Sequence, residues 1–222
     1  MGRHAHDKRS ARGQYEEEAS PAAFVRVGTE AGLGPVQILA VSGSLRSASS
    51  NTALLRAGAK LAPEGVEVRL YEGLAELPHF NPDLDDPDGR TIPPEVADLR
   101  SRLAASDGVI ISSPEYVHGV PGAIKNAVDW VVSSGELYEK PTALLNASMA
   151  ATHAYASLTE ILTTTDAEIV WEASTRVGLP TNRIDEEGIL SDPELSGTLR
   201  AAVTALAHAI KVRQAGADGQ SR

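Results

Sequence analysis

Cysteine is absent from this 222-residue chain. Its absence excludes a disulfide framework, thiolate catalysis and iron–sulfur or cysteine-ligated zinc sites, and no metal site is expected. Positive charge is also scarce: 20 Lys and Arg against 30 Asp and Glu leave a net charge of −10. That balance repels nucleic acid and anionic membranes, and no basic stripe offsets it. Long apolar runs are missing too. None approaches the ~20 residues of a membrane span, and the N-terminus lacks the apolar core of a signal peptide. The absence of cysteine suits a reducing compartment, so we expect a cytoplasmic protein with neither a membrane nor a nucleic-acid partner. Neither GxxxxGK nor GxGxxG occurs, which argues against a nucleotide hydrolase and a dinucleotide-binding domain.

What is present is an ordinary globular composition, 42% hydrophobic and 23% charged, on a chain long enough for a substantial core. Residues 1–35 mix His, Arg, the Glu16-Glu17-Glu18 cluster and Gly/Pro punctuation without a sustained period, and read as a flexible tail. Residues 36–214 read as one domain, and residues 215–222 as a loose C-terminal end.

Within the domain the pattern alternates. Val36–Val41 is a short apolar run suited to a buried strand, followed by a helix over 50–62 with Leu54, Leu55 and Leu61 inward. Val66–Leu70 alternates with period two, as an outer strand does. A Pro-, Asn- and Asp-rich loop from Gly73 to Pro94 precedes a helix over 95–106 and a buried strand at Gly108–Ser112. A helix over 120–133 carries Ile124, Ala127, Val128 and Val131 on one face. Pro141–Asn146 reads as a strand, 151–164 as a helix and Glu168–Val170 as a short fifth strand. Leu199, Val203, Leu206 and Ile210 recur at helical spacing on a last helix. This alternation predicts an α/β sandwich with a five-stranded parallel sheet, helices on both faces and the doubly wound order 2-1-3-4-5.

Two loops stand out, one after the first strand and one after the third, where such a sheet has its switch point. In the first, Gly43 permits a sharp turn, and Ser44, Ser47, Ser49, Ser50, Asn51 and Thr52 crowd short hydroxyl and amide groups at a helix start. Ser49, Ser50 or Asn51 can cap that helix, whose orphan N–H groups and dipole suit an anion. Arg46 adds a charged donor fork matched to phosphate. Taken alone, this loop is equally a serine-rich cap with no ligand.

The second loop, Ser113 to Gly122, has turn-rich chemistry suited to a flat ring. Pro114 keeps Ser113 extended, Glu115 and Tyr116 project at the strand end, and Gly119 allows close approach of a ligand. His118 either faces a substrate or is a solvated loop residue. Lys125 and Asn126 suit helix ends or a subunit contact, and Trp130 suits packing. The run Asp83, Asp85, Asp86 and Asp88 reads as a solvated loop. One ligand with a phosphate at one end and a planar ring at the other explains both loops, and FMN is that ligand.

Gly43-Ser44-Leu45-Arg46-x-x-Ser49-x-Asn51 and Ser113-Pro114-Glu115-Tyr116 through Pro121-Gly122-Ala123-Ile124-Lys125-Asn126-Ala127-Val128-Asp129-Trp130 closely resemble the two signatures of the flavodoxin-like NADPH-dependent FMN reductase family. The similarity runs from about Val36 to Val170. It implies that Ser44, Arg46, Ser49, Asn51 and Thr52 hold the FMN phosphate. It further implies that Pro114, Glu115, Tyr116, His118 and Gly119 line the isoalloxazine, and that the third loop, Asn146-Ala147-Ser148, touches the flavin's other edge. Many members have Asn and Ser where this chain has Val117 and Gly119, which removes polar groups beside the ring. The resemblance also implies NADPH or NADH as reductant, a small electron acceptor and a homodimer or homotetramer.

The expected function is hydride passage from NAD(P)H through FMN to a flavin, quinone, azo compound or metal oxyanion by a ping-pong scheme, with no catalytic side chain required. Its rivals are a flavodoxin-type electron carrier without an NAD(P)H site and a cofactor-free regulatory module of the same fold.

Overall fold

Three central strands are apolar on both faces, and that decides the layering. In the computed structural model, which describes residues 34–85, 92–180 and 184–220, these are β1 (Val36–Ser42), β3 (Gly108–Ser112) and β4 (Pro141–Asn146). The strand β2 (Val66–Tyr71) is only half-buried, as its alternating sequence predicts for an outer position. All pairings are parallel, and the order is β2-β1-β3-β4-β5, with β5 formed by Glu168–Ile169.

Side chains alternate across the sheet, so each strand feeds two cores. Leu39, Val41, Val109, Ile111 and Leu144 pack against α2 (Pro94–Ala105), α3 (Gly122–Asp129) and α4 (Thr152–Thr163). Ile38, Ala40, Ile110, Ala143 and Leu145 pack against α1 (Ser50–Lys60), α5 (Glu186–Ser191) and α6 (Pro193–Gln220). Each fully buried Leu or Ile contributes about 1.5–3 kcal/mol relative to exposure.

Three differences from the sequence reading have local causes. The helix expected over 120–133 is regular only to Asp129, because the Trp130 carbonyl accepts from the Arg100 guanidinium and the chain then turns. A sixth strand, β6 (Thr175–Arg176), pairs with Leu145–Asn146 beyond β5. Between β5 and β6 the chain leaves the sheet in a 3-10 turn, and Ser174 Oγ fills the gap by accepting from Leu144 N at 3.0 Å. Two residues carry too little pattern to announce such a strand. The last helix runs on to Gln220, through part of the stretch expected to be loose. The expected tail at 1–35 lies almost wholly outside the described residues.

Register sets up the site. Ser42 pairs with Ser112, so β1 and β3 end side by side at the carboxyl edge, and Gly43 N donates to Ser112 O at 2.8 Å.

Candidate functional site

The chain leaves β1 through Gly43, which sits so close to the next loop that a Cβ there would meet Ser113 Oγ at 2.6 Å. Only glycine lets the two backbones approach this far. Ser49 then caps α1: its backbone is extended and its Oγ accepts from Thr52 N at 3.3 Å. Asn51, 8% exposed, ties three strand ends together. Its Oδ1 accepts from Ser112 Oγ at 2.8 Å and from Ala147 N at 3.4 Å. Ser44 Oγ accepts from Arg46 N at 3.3 Å, and the exposed Arg46 guanidinium has no partner among the described residues.

The second loop is a tight hairpin. Tyr116 and Gly119 exchange both backbone hydrogen bonds, at 3.1 and 3.0 Å. Val117 and His118 between them have φ of 52° and 55°, the left-handed pair of a type I′ turn. For β-branched Val117 that backbone is costly. Glu115 reaches across to α4, where its Oε2 accepts from Ala154 N at 2.9 Å, and Oε1 lies 3.4 Å from His118 Nδ1. The Ala154 N–H, opposed by burial and assisted by the His153 N–H, holds the Glu115 carboxyl below the usual carboxylate range.

The third loop leaves β4 in an Asn turn, with Asn146 Oδ1 accepting from Ser148 N at 2.8 Å. Arg176 of β6 steadies it by donating to Met149 O at 3.2 Å.

The three loops enclose a cleft of about 700 Å³, within the ~300–1,000 Å³ of small-ligand sites. Of the residues expected in the site, Ser44, Arg46, Ser49, Asn51, Pro114, Glu115, Tyr116 and Ser148 line it. Thr52 does not: it sits behind Ser49, with its hydroxyl 2.8 Å from Ser42 Oγ. Gly119 serves to close the hairpin, with only Tyr116 O, at 3.7 Å, near its absent Cβ. His118 stands on the rim, its ring packed edge-on against His153 at 4.5 Å.

Asn146 and Ala147, named with Ser148 as the third loop, also line the cleft, whereas sequence reasoning missed Met149, Gly178 and Leu179. The Asn146-x-Ser148 turn was a usable signal. Nothing local marks Gly178 and Leu179, which arrive through β6.

Other singled-out residues do structural work. Asn126 clasps the 78–80 segment, accepting from Phe80 N at 2.8 Å and donating to Pro78 O at 2.9 Å, while Trp130 Nε1 donates to Pro78 O at 2.8 Å. Lys125 pairs with Asp129 on its own helix. Asp85 is not solvated: it is a largely buried partner of Arg100 at 2.7 Å. Asp86 and Asp88 lie outside the described residues. A second hollow, of about 460 Å³, opens at the end of β2 among Glu72, Glu76, Glu95 and Asp98, and its carboxylates disfavour an anion.

The cleft therefore fits a ligand with a phosphate and a flat ring: a free guanidinium and a helix N-terminus on one wall, and proline and exposed tyrosine on another. Comparison with known proteins points the same way. The family described as NADPH-dependent FMN reductase matches residues 36–172. The quinone reductase of Escherichia coli is 31% identical over 157 residues, covering 68% of this chain and 82% of that one. An NAD(P)H-dependent FMN reductase of Pseudomonas aeruginosa is 29% identical over 176 residues, covering 77% and 93%. Among solved structures, the flavoenzyme NAD(P)H:(acceptor) oxidoreductase FerB from Paracoccus denitrificans aligns with a TM-score of 0.63 and 28% identity over 79% of this chain and 97% of its own.

Proposed function

The chain belongs to the NADPH-dependent FMN reductase family, and from that premise we propose that it is an NAD(P)H-dependent oxidoreductase that reduces a small acceptor through FMN held in the cleft. The observation that carries this reading is that Arg46, whose guanidinium has no partner among the described residues, lines one cleft together with the start of α1 and the Pro114–Tyr116 wall. Ser44, Arg46, Ser49 and the first turn of α1 would hold the phosphate, with Asn51 fixing the three loops around it. Pro114, Glu115 and Tyr116, with Ser148 opposite, would flank the ring. FMN bound there supplies two-electron hydride chemistry, which no side chain here could provide.

A single cleft serves reductant and acceptor, so the two enter in turn and ping-pong kinetics are expected. Exposed Tyr116, Val117 and Met149 give the surface around the cleft an apolar character, consistent with an uncharged acceptor such as a quinone and with a second copy of the chain covering that surface. A reductase that draws on NAD(P)H belongs in the cytoplasm.

The test is spectroscopic. Purified protein reconstituted with FMN should show the visible flavin band, and anaerobic NADPH or NADH should bleach it within the time of a catalytic turnover. Binding without bleaching would indicate an electron carrier, and no band after reconstitution would indicate a cofactor-free module.

A further inference from the structure

The hollow at the end of β2 lies at the same carboxyl edge of the sheet as the cleft, one strand further out, since its Tyr71 pairs with Val41 of β1. Ligands of open α/β sheets bind outside such strand ends. Leu70, Pro94 and the Tyr71 ring give it an apolar lining, while Glu72, Glu76, Glu95 and Asp98 set four carboxylates against the single guanidinium of Arg102. Asp98 already pairs with Arg102 at 2.7 Å, and Glu72 stands 3.9 Å from Arg56. Glu76 and Glu95 have no ion-pair partner among the described residues.

Carboxylates on a surface are ordinarily just solvated, and what sets this group apart is Tyr71. That residue is 4% exposed, yet its hydroxyl has no hydrogen-bond partner among the described residues, whereas buried polar groups are normally satisfied. A Cβ on Gly73 would lie 2.8 Å from the hydroxyl oxygen, so glycine there leaves the group uncovered. The charges that act on it are those of Asp98, Arg102 and Glu95, and all three residues line the hollow. The hydroxyl therefore faces this space. Burial, and after it the Asp98 carboxylate, pushes its pKa up to about 12, so it stays a neutral O–H able to donate and accept.

We propose that this hollow binds a linear organic cation with two or more ammonium or guanidinium groups, the Tyr71 oxygen accepting from one of them and Glu76 and Glu95 pairing with the charges. The chemistry selects this class. The carboxylates oppose an anion, and a neutral ligand would leave them unmatched. Among the described residues no three acidic or histidine side chains converge closely enough to hold a metal ion, so the site suits charge spread along a chain rather than concentrated at a point. Methylene stems between the charges would cover Leu70, Pro94 and the Tyr71 ring, as the stems of Lys and Arg cover apolar surface. The hollow shares no lining residue with the cleft, so this inference does not depend on the flavin reading. The net charge of −10 draws cations to the whole surface, and the test must separate that general attraction from a site.

The experiment is a calorimetric titration of the full chain with spermidine, a linear triamine, at about 0.15 M ionic strength, where attraction between exposed charges is screened beyond about 8 Å. One equivalent should bind with a Kd below about 1 mM. Tyr71→Phe keeps the ring and removes only the hydroxyl. It should weaken binding about tenfold, as for loss of a hydrogen bond to a charged group, without lowering the unfolding midpoint. The exposed pair Glu76→Gln and Glu95→Gln together should weaken it about fivefold, as for two exposed ion pairs. A charge-matched control, Glu160→Gln with Glu172→Gln, removes two exposed carboxylates that do not line the hollow. It should change affinity by less than about twofold, since screening confines each charge to its surroundings. Several weak equivalents in place of one, equal affinity in wild type and Tyr71→Phe, an equal loss in the control, or displacement of spermidine by magnesium at matched charge would each overturn the proposal. Should Tyr71→Phe fail to fold, the two glutamate pairs decide by themselves.

Discussion

The loops after β1 and β3 leave adjacent strand ends, and their construction differs at every level. In the first, Ser49 and Asn51 are buried, and side-chain hydrogen bonds reach from Asn51 to β3 and to the loop after β4. In the second, Val117 is fully exposed at positive φ on a hairpin tip, and the side-chain tethers found among the described residues, the Glu115 hydrogen bond and the His118–His153 ring contact, both go to α4. The first loop has the build of a grip and the second that of a wall that meets incoming molecules. Binding an anion needs donors already in place. Accepting varied partners needs an edge that can be altered without disturbing the sheet.

The largest effect should come from breaking the junction between the two. Asn51→Ala leaves the Ser112 hydroxyl and Ala147 N–H without their acceptor, and each buried unsatisfied group costs about 1–3 kcal/mol. Urea unfolding should show a loss in that range together with weaker FMN retention; unchanged stability would mean Asn51 does not organise the loops. Arg46→Ala acts on the grip alone. FMN affinity should fall about 10- to 100-fold, as for loss of a charged hydrogen bond, with the unfolding midpoint unmoved. Unaltered affinity would remove Arg46 from the site.

Val117→Asn addresses the wall. Asn tolerates the left-handed backbone that Val resists, and relief of a strain of about 1–3 kcal/mol should raise stability by about 1 kcal/mol while FMN affinity stays the same. No gain would show that the turn is not strained. The smallest effect is pH-dependent. Glu115 sits below its ordinary carboxylate range, chiefly through the Ala154 N–H. Its stabilising contribution is therefore present above the usual glutamate pKa and fades as pH falls through the lowered value. Glu115→Gln should flatten the acid side of the stability profile; an identical slope would dissociate Glu115 from α4.

Much of the site was legible because its local chemistry is strong. A glycine turn followed by serines and an arginine at a helix start reads as an anion cradle in one dimension. Eight of the eleven residues named from sequence line the cleft. Thr52, His118 and Gly119 do not. Thr52, in the first turn of α1, has its hydroxyl on Ser42, and the hairpin carries His118 onto α4. Asn126 and Trp130 belong to the second signature, yet they clasp the 78–80 segment, a role visible only once that segment is in place.

Periodicity and apolar run length determined the layers, the strand order and which strands lie inside, because a two-faced buried strand needs apolar residues at every position and an edge strand does not. Whether a polar side chain meets a ligand or another part of the chain depended on contacts far apart in sequence. Asn51 meets Ala147, Glu115 meets Ala154 and Asp85 meets Arg100 only after the sheet brings those segments together, and a hydrogen bond formed within the protein withdraws that atom from any ligand.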